Sequence, residues 1–187
     1  MVQTDFRAVR RQQFRRYFQP SRVLLGLFPA PSLSGVNVIT LCFNMHCSYD
    51  PPMIAVAIND RSSTYDLVDQ TDEFVLSVPG ESLARETMIC GHESMRDGDK
   101  VVRCGLELIE SASVSVPGLS AAIANIELRT RAVIQSGDHR VVLGEVGRFA
   151  VNVSRRELPL VSIGPFTEGY RVLCKKGMHR IGVVAAT

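Results

Sequence analysis

Short apolar runs recur along the chain, each closed by residues that favour turns. RVLLGLFPAP (22–31) predicts a buried strand ending in a proline-rich turn, and GVNVITLCF (35–43) predicts the next strand. The short SLSG between them suits a hairpin. MIAVAIN (53–59) is apolar throughout, as expected of a strand covered on both faces. SSTYDLVDQT (62–71) carries Ser63 and Asp66 three apart, a capping-box spacing that predicts a short helix starting at Ser63. FVLSVP (74–79) predicts a further strand. SLARETMICG (82–91), with a serine in the N-cap position and a glycine stop, predicts a second helix. Later, ANIELRTRAVIQ (124–135) alternates: Ile126, Leu128, Thr130, Ala132 and Ile134 should share one face, with Glu127, Arg129 and Arg131 on the other. SGDH makes a turn, and RVVLGEVGRFAVNV (140–153) returns, with Gly144 and Gly147 marking bends or close backbone approach. Six or more strands with two small helices predict a mainly β chain, an antiparallel β-barrel with short helical decoration. The regular alternation of a Rossmann domain and its GxGxxG turn are both missing.

Composition narrows this picture. The 187 residues, 45 % hydrophobic, suffice for one substantial core, so a single domain spanning 1–187 is the expectation. The net charge of +2 hides an uneven distribution. Arg7, Arg10, Arg11, Arg15 and Arg16 against Asp5 give the first sixteen residues a charge of +4, leaving about −2 for the rest. Phe6, Val9, Phe14, Tyr17 and Phe18 add an apolar stripe, so 1–19 is read as a basic amphipathic helix that docks, rather than as a nucleic-acid arm. Five cysteines form no CxxC pair and no zinc spacing. Without an apolar leader, and with no apolar run near the ~20 residues of a membrane span, a reduced cytoplasm is the expected home.

The stretch NMHCSYDPPMIAVAINDRSST (44–64) holds the most suggestive chemistry. Arg61 at a strand end, followed by Ser62, Ser63 and Thr64 in a first helical turn, brings a guanidinium, three hydroxyls and free N–H groups toward one point. Such a set can hold an anion. By itself it also reads as an ordinary capped helix with a surface arginine.

Several stretches, taken in order, resemble the flavin reductase-like proteins of the FMN-binding split-barrel fold. PSRVLLGLF resembles that family's opening strand, GVNVITLCFNMHCSYDPPMIAVAI its N-x-x-T…S-x-D-P-P strand pair, and RSSTYDLVDQTDEFVLSVP its R-x-T helix and following strand. MICGHESMRDGDKV and GDHRVVLGEV are similar to segments of its flavoredoxin and archaeal ferric-reductase branch, and PLVSIGPFTEGYRVL to its closing segment. The likeness runs over roughly residues 20–173, and short motifs gain weight only in such an order. It implies a split β-barrel, FMN near the interface of a homodimer, and NAD(P)H as electron donor. It also implies a small-molecule acceptor or a partner monooxygenase, with neither nucleic acid nor membrane as partner.

Carried over position by position, the resemblance implies that Asn37, Thr40, Leu41 and Cys42 line the flavin, with Cys47 and Ser48 beside it. Arg61, Ser62, Ser63 and Thr64 would hold its phosphate, with Ser94 and Arg96 on the neighbouring segment. The family's S-G-R is Ser94-Met95-Arg96 here. A flavin carries its own electron chemistry, so no obligatory acid or base is assigned. Cys47 and His139 are the candidate acceptor site, by likeness to ferric-reductase-type relatives; the simpler reading is that both only pack, since two donors fall short of a metal shell. No metal is expected. The alternatives carried forward are an FMN-binding electron-transfer protein that does not use NAD(P)H itself, and a non-catalytic barrel that serves as a binding module.

Overall fold

The computed structural model describes residues 20–162 throughout, Phe14 and Phe18, and the backbone strands Tyr170–Lys176 and Ile181–Ala185. The basic helix expected over 1–19 lies almost wholly outside the described residues, as does part of the closing segment that follows Ser162.

In chain order the strands are β1 (Ser21–Arg22), β2 (Leu24–Ala30), β3 (Gly35–Leu41), β4 (Asn44–Tyr49), β5 (Pro52–Asn59), β6 (Glu73–Val78), β7 (Leu108–Ile109) and β8 (Gly118–Leu119). The long hairpin β9 (Ala124–Ser136) and β10 (His139–Val151) follows, then β11 (Leu160–Ser162), β12 (Tyr170–Lys176) and β13 (Ile181–Ala185). Helices α1 (Ala84–His92) and α2 (Lys100–Cys104) separate β6 from β7. Seven antiparallel strands form one sheet in the order β3-β2-β6-β9-β10-β5-β4.

That order shows why the sheet is a barrel. Its two edge strands, β3 and β4, are joined by Cys42 and Phe43 alone, a linker that can reach only about 10 Å. The edges must therefore face each other, and the sheet curls round with a split between them. Asn44 ties the split, its Nδ2 donating to the carbonyls of Arg22 (3.0 Å) and Leu41 (3.2 Å). A smaller sheet, β1-β11-β12-β13, accompanies the barrel.

The interior is packed solid by Leu24, Phe28, Leu41, Ile54, Val56, Ile58, Phe74, Leu76, Leu128 and Val142. Phe28 and Phe74 lie face to face, ring centres 5.3 Å apart. A ligand must therefore sit on the outside of this barrel. A second core covers part of the outer wall, where Leu25, Leu27, Val36, Val38 and Val75 meet Leu83, Cys90, Val101, Val116 and Leu119. This accounts for the unbroken apolar run of β2, which is buried on both faces.

Four expectations from the pattern need correction. The helix at Ser63 is a single 3₁₀ turn, Ser63–Asp66, and its cap is Ser62, whose hydroxyl accepts from Thr64 N (3.2 Å). Ser82 caps nothing: α1 begins at Ala84, because the Glu157 carboxylate accepts both Ser82 N–H (2.8 Å) and its hydroxyl (2.9 Å). Gly91 lies inside α1 rather than stopping it.

The fourth concerns the faces of β9. Leu143 opposes Ala132 while Gly144 opposes Thr130, so Arg131 is an extra residue. Beyond that bulge the faces exchange, and Val133 packs on the barrel core while Ile134 is left half exposed. The two glycines of β10 behave as the pattern predicted. A Cβ on Gly144 would fall 2.5 Å from the Phe74 ring, and Gly147 is the extra residue where Val146 opposes Leu128 and Arg148 opposes Glu127. Among the described residues no helix is long and apolar enough to cross a membrane.

Candidate functional site

β3 is an edge strand, hydrogen-bonded to β2 on one side only. Every second residue along it therefore turns its N–H and C=O outward, away from the sheet. Two polar side chains on β3 are buried, Asn37 and Thr40. Thr40 donates its hydroxyl to the Thr87 carbonyl in α1 (2.6 Å), which seats that helix on the strand. Asn37 reaches the other way, its Nδ2 donating to Thr64 Oγ1 (2.8 Å) and docking the 3₁₀ turn on the strand.

That turn is the centre of the site. It leaves β5 at Asn59, whose Oδ1 accepts from Arg61 N (3.0 Å). The Ser63 and Thr64 side chains are buried, and Ser94 donates its hydroxyl to Ser63 Oγ (3.2 Å). Ser94 also caps the turn Met95–Asp97, accepting from Arg96 N (3.1 Å), and Arg96 pairs with Asp66 (3.1 Å) across an exposed edge. Asn37, Ser62, Ser63, Thr64, Ser94 and Arg96 are thus brought together by three segments far apart in sequence, and Arg61 stands exposed at the head of the turn.

Sequence reasoning missed what holds the turn in place. Arg140, the second residue of β10, sits over the Tyr65 ring, its Cζ 3.9 Å from the ring centre. It donates to the Tyr65 carbonyl (2.6 Å) and pairs with Asp69 (2.8 Å). Tyr65 in turn donates its phenol to Gln135 Oε1 (2.8 Å). One guanidinium therefore clamps the turn to the long hairpin. Nothing in the local pattern around Arg140 marks it, since its partners lie about seventy positions away.

The remaining candidates separate. Leu41 turns its side chain into the barrel core and can offer only its backbone outward. Cys42 packs against Val23 and Leu160. Cys47 is the bulged residue of β4, exposed beside the half-buried Ser48. His139 opposes Asn59, whereas the Cys47 bulge lies beside Ile54, five residues further along β5. At about 3.3 Å per residue they stand on the order of 16 Å apart along the strand, so one chain does not bring them together. His139 instead stacks on Phe43, centres 5.3 Å apart, and its Nδ1 meets Asp138 Oδ1 at 2.6 Å. That contact holds the Asp138 carboxyl below the usual carboxylate range. Among the described residues no group of three His, Cys, Asp or Glu could hold a metal ion.

The donor set fits a phosphomonoester. Arg61 and Arg96 belong to the same two segments as the hydroxyls of Ser62, Ser63, Thr64 and Ser94, and the 3₁₀ turn is too short to supply more than a few N–H groups. Asn37 Oδ1 is buried without a hydrogen-bond partner, so the strand still has polar capacity at this point.

A family model described as flavin reductase like domain matches residues 30–165. The chain belongs to this family. An uncharacterized protein of Pyrococcus abyssi is 35 % identical over 110 residues, 59 % of this chain and 63 % of the relative. The chain thus spans under two thirds of the length of the first relatives it matches. Among solved structures, an FMN-binding protein from Thermus thermophilus with bound 1-cyclohex-2-enone superposes with a TM-score of 0.78 at 21 % identity. That match covers 94 % of this chain and 99 % of the other. A flavoredoxin from Methanosarcina acetivorans gives a TM-score of 0.78 at 16 % identity, covering 94 % and 95 %. At such identities the likeness establishes the fold, and the fold is the split barrel derived above.

Proposed function

We propose that this chain binds FMN along the outer edge of β3 and works as a flavin-dependent oxidoreductase. It would take electrons from NAD(P)H and pass them to a small-molecule acceptor or a partner monooxygenase in the cytoplasm. One observation carries the reading: in a flavin reductase-like barrel, the Arg61–Thr64 turn meets Ser94 and Arg96 beside the open edge of β3. When bound, FMN supplies the electron chemistry; the protein binds, orients and shields. Arg61 and the hydroxyls of Ser62, Ser63, Thr64 and Ser94 would neutralise and orient the phosphate. Outward N–H and C=O groups of β3 would meet the ring edge, and the filled barrel keeps that ring at the surface, open to a second reactant.

The described residues bring together one arginine–hydroxyl cluster, sized for a single phosphate. FMN should therefore bind in preference to FAD, and equal or tighter FAD binding in a titration would overturn the assignment. The same economy supports a second reading, an electron-transfer protein that takes its electrons from another protein. Anaerobic bleaching of the yellow protein by NADH or NADPH supports the first reading; colour without bleaching supports the second. A colourless protein that does not rebind FMN would discard both in favour of a binding module.

A homodimer belongs to the proposal. The outer face of β4, β10 and β9, with the linker before β4, carries Phe43, Met45, Val141, Leu143 and Ile134 in neighbouring rows. Met45 and Ile134 are more than half exposed, an apolar surface that suits a second copy.

A further inference from the structure

Helices α1 and α2 hold a chemical cluster that the flavin reading does not use. Cys90 of α1 and Cys104 of α2 pack into the same apolar core where the two helices meet. Both sulfurs are free, Cys90 fully buried and Cys104 only partly so. Beside them Lys100 is 97 % covered, its ammonium donating to the Cys90 carbonyl (3.5 Å) and the Glu93 carbonyl (3.3 Å). A cavity of about 190 Å³ reaches Cys104 from outside, lined in part by Ser82, Glu86, Glu107 and Ser120. One thiol is thus reachable by a small molecule, and the other waits behind it.

We propose that Cys90 and Cys104 form a redox-active dithiol that closes to a disulfide, locking α1 to α2, on reaction with a low-molecular-weight disulfide. The Cys104 thiolate attacks one sulfur of RS–SR, forming a mixed disulfide and expelling RS⁻. Cys90 then loses its proton and attacks the Cys104 sulfur, expelling the second RS⁻. Two protein thiols lose two electrons and two protons; the reagent gains them and leaves as two RSH. The lock lies behind Thr87, the residue that seats α1 on Thr40 of β3.

The surroundings set the speed. Burial pushes the Cys90 thiol up to about 12, with Cys104 adding to the rise, Lys100 opposing it and Glu86 contributing slightly. Burial also raises Cys104, opposed by the neighbouring Cys90 thiol and by Arg85, with Glu86 and Glu93 adding to the rise. Only the thiolate reacts, so closure should be slow at neutral pH and quicken about tenfold per pH unit below the thiol values.

The full-length protein is exposed to glutathione disulfide at pH 7, 8 and 9, blocked with an alkylating reagent, and digested with trypsin. Cleavage after Arg85, Arg96, Lys100 and Arg103 separates a peptide with Cys90 (86–96) from one beginning at Cys104. The two should appear joined, accumulating about tenfold faster per pH unit, and should not appear joined in Cys104→Ser or Cys104→Ala protein. Glutathione on the exposed Cys47 with no joined peptide at pH 9 would overturn the proposal. So would a Cys104–glutathione adduct that never resolves, or a joined peptide that forms only in denaturant.

Discussion

Replacing Gly144 by alanine probes the packed barrel directly. The new Cβ would lie 2.5 Å from Phe74 Cζ, 2.8 Å from Phe74 Cε1 and 2.8 Å from Leu128 Cδ2. None of these atoms can retreat easily, because Phe74 and Leu128 are wholly buried and the Phe74 ring is stacked on Phe28. Overfilling a tight core costs about 1–3 kcal/mol, offset by roughly 0.4–1 kcal/mol from the stiffer unfolded chain. Contacts under 3 Å put this site in the upper part of that range, a net cost of about 1–2.6 kcal/mol, and at about 2–4 °C per kcal/mol the midpoint should fall by roughly 2–10 °C. Gly147→Ala is the matched control. Its Cβ would meet only Ser113 Oγ at 3.4 Å and the Glu127 carbonyl at 3.8 Å, so its change should stay within about 0.5 kcal/mol. Thermal melts followed by circular dichroism suffice. Equal shifts for the two variants, or a Gly144→Ala protein as stable as the parent, would refute a filled barrel interior at Phe74.

Other outcomes follow from the same geometry. Arg61→Ala should weaken FMN binding by about 1.5–3 kcal/mol, the worth of a charge-assisted hydrogen bond, with little change in melting; an unaltered Kd would remove Arg61 from the site. Acid should destabilise the protein. Burial raises the Glu127 carboxyl, but hydrogen bonds from Ser113 and Ala112 and the charge of Arg148 outweigh it and hold the group below its ordinary value of about 4.3. A depressed carboxylate contributes stability above its unfolded pKa and loses it as pH falls through the folded one. Melting should thus be level above about pH 5 and decline below about 4.3, less steeply in Glu127→Gln; an unchanged acid slope in that variant would exclude Glu127 as a cause. Ile134→Lys should leave the fold intact while shifting sedimentation from a dimer to the 20.6 kDa chain, and a parent that sediments as a monomer at micromolar concentration would remove the dimer.

Where burial is one-sided or total, the pattern of the chain spoke clearly. β2 was legible because both of its faces are covered, β5 because buried Ile54, Val56 and Ile58 run through an unbroken apolar stretch, and the long hairpin because Gly137, at φ +59°, turns it where SGDH stands. α2 escaped notice although Asp99, accepting from Val101 N and Val102 N, and Gly105, at φ +60°, bracket it. Its five residues are too few for a helical period to show. β4 is a polar edge strand with an exposed bulge, so no alternation announces it. The reversal of β9 at Arg131 is set by the register of its partner and leaves no local mark.

The site divides the same way. The cluster from Arg61 to Thr64 is contiguous and could be seen. Its docking on Asn37, its bracing by Ser94 and Arg96, and the Arg140 clamp depend on long-range pairing. Cys47 and His139 were paired by likeness to ferric-reductase-type relatives, and within one chain strand register sets them apart.

The turn headed by Arg61 is proposed to hold the phosphate of FMN. Titrating cofactor-free protein with FMN and with riboflavin, by quenching of flavin fluorescence, tests this most directly, because the two ligands differ only in that phosphate. One or more charge-assisted hydrogen bonds, each about 1.5–3 kcal/mol, predict FMN binding tighter than riboflavin by at least roughly tenfold. Arg61→Ala should narrow that gap. Equal affinity for FMN and riboflavin would contradict the account.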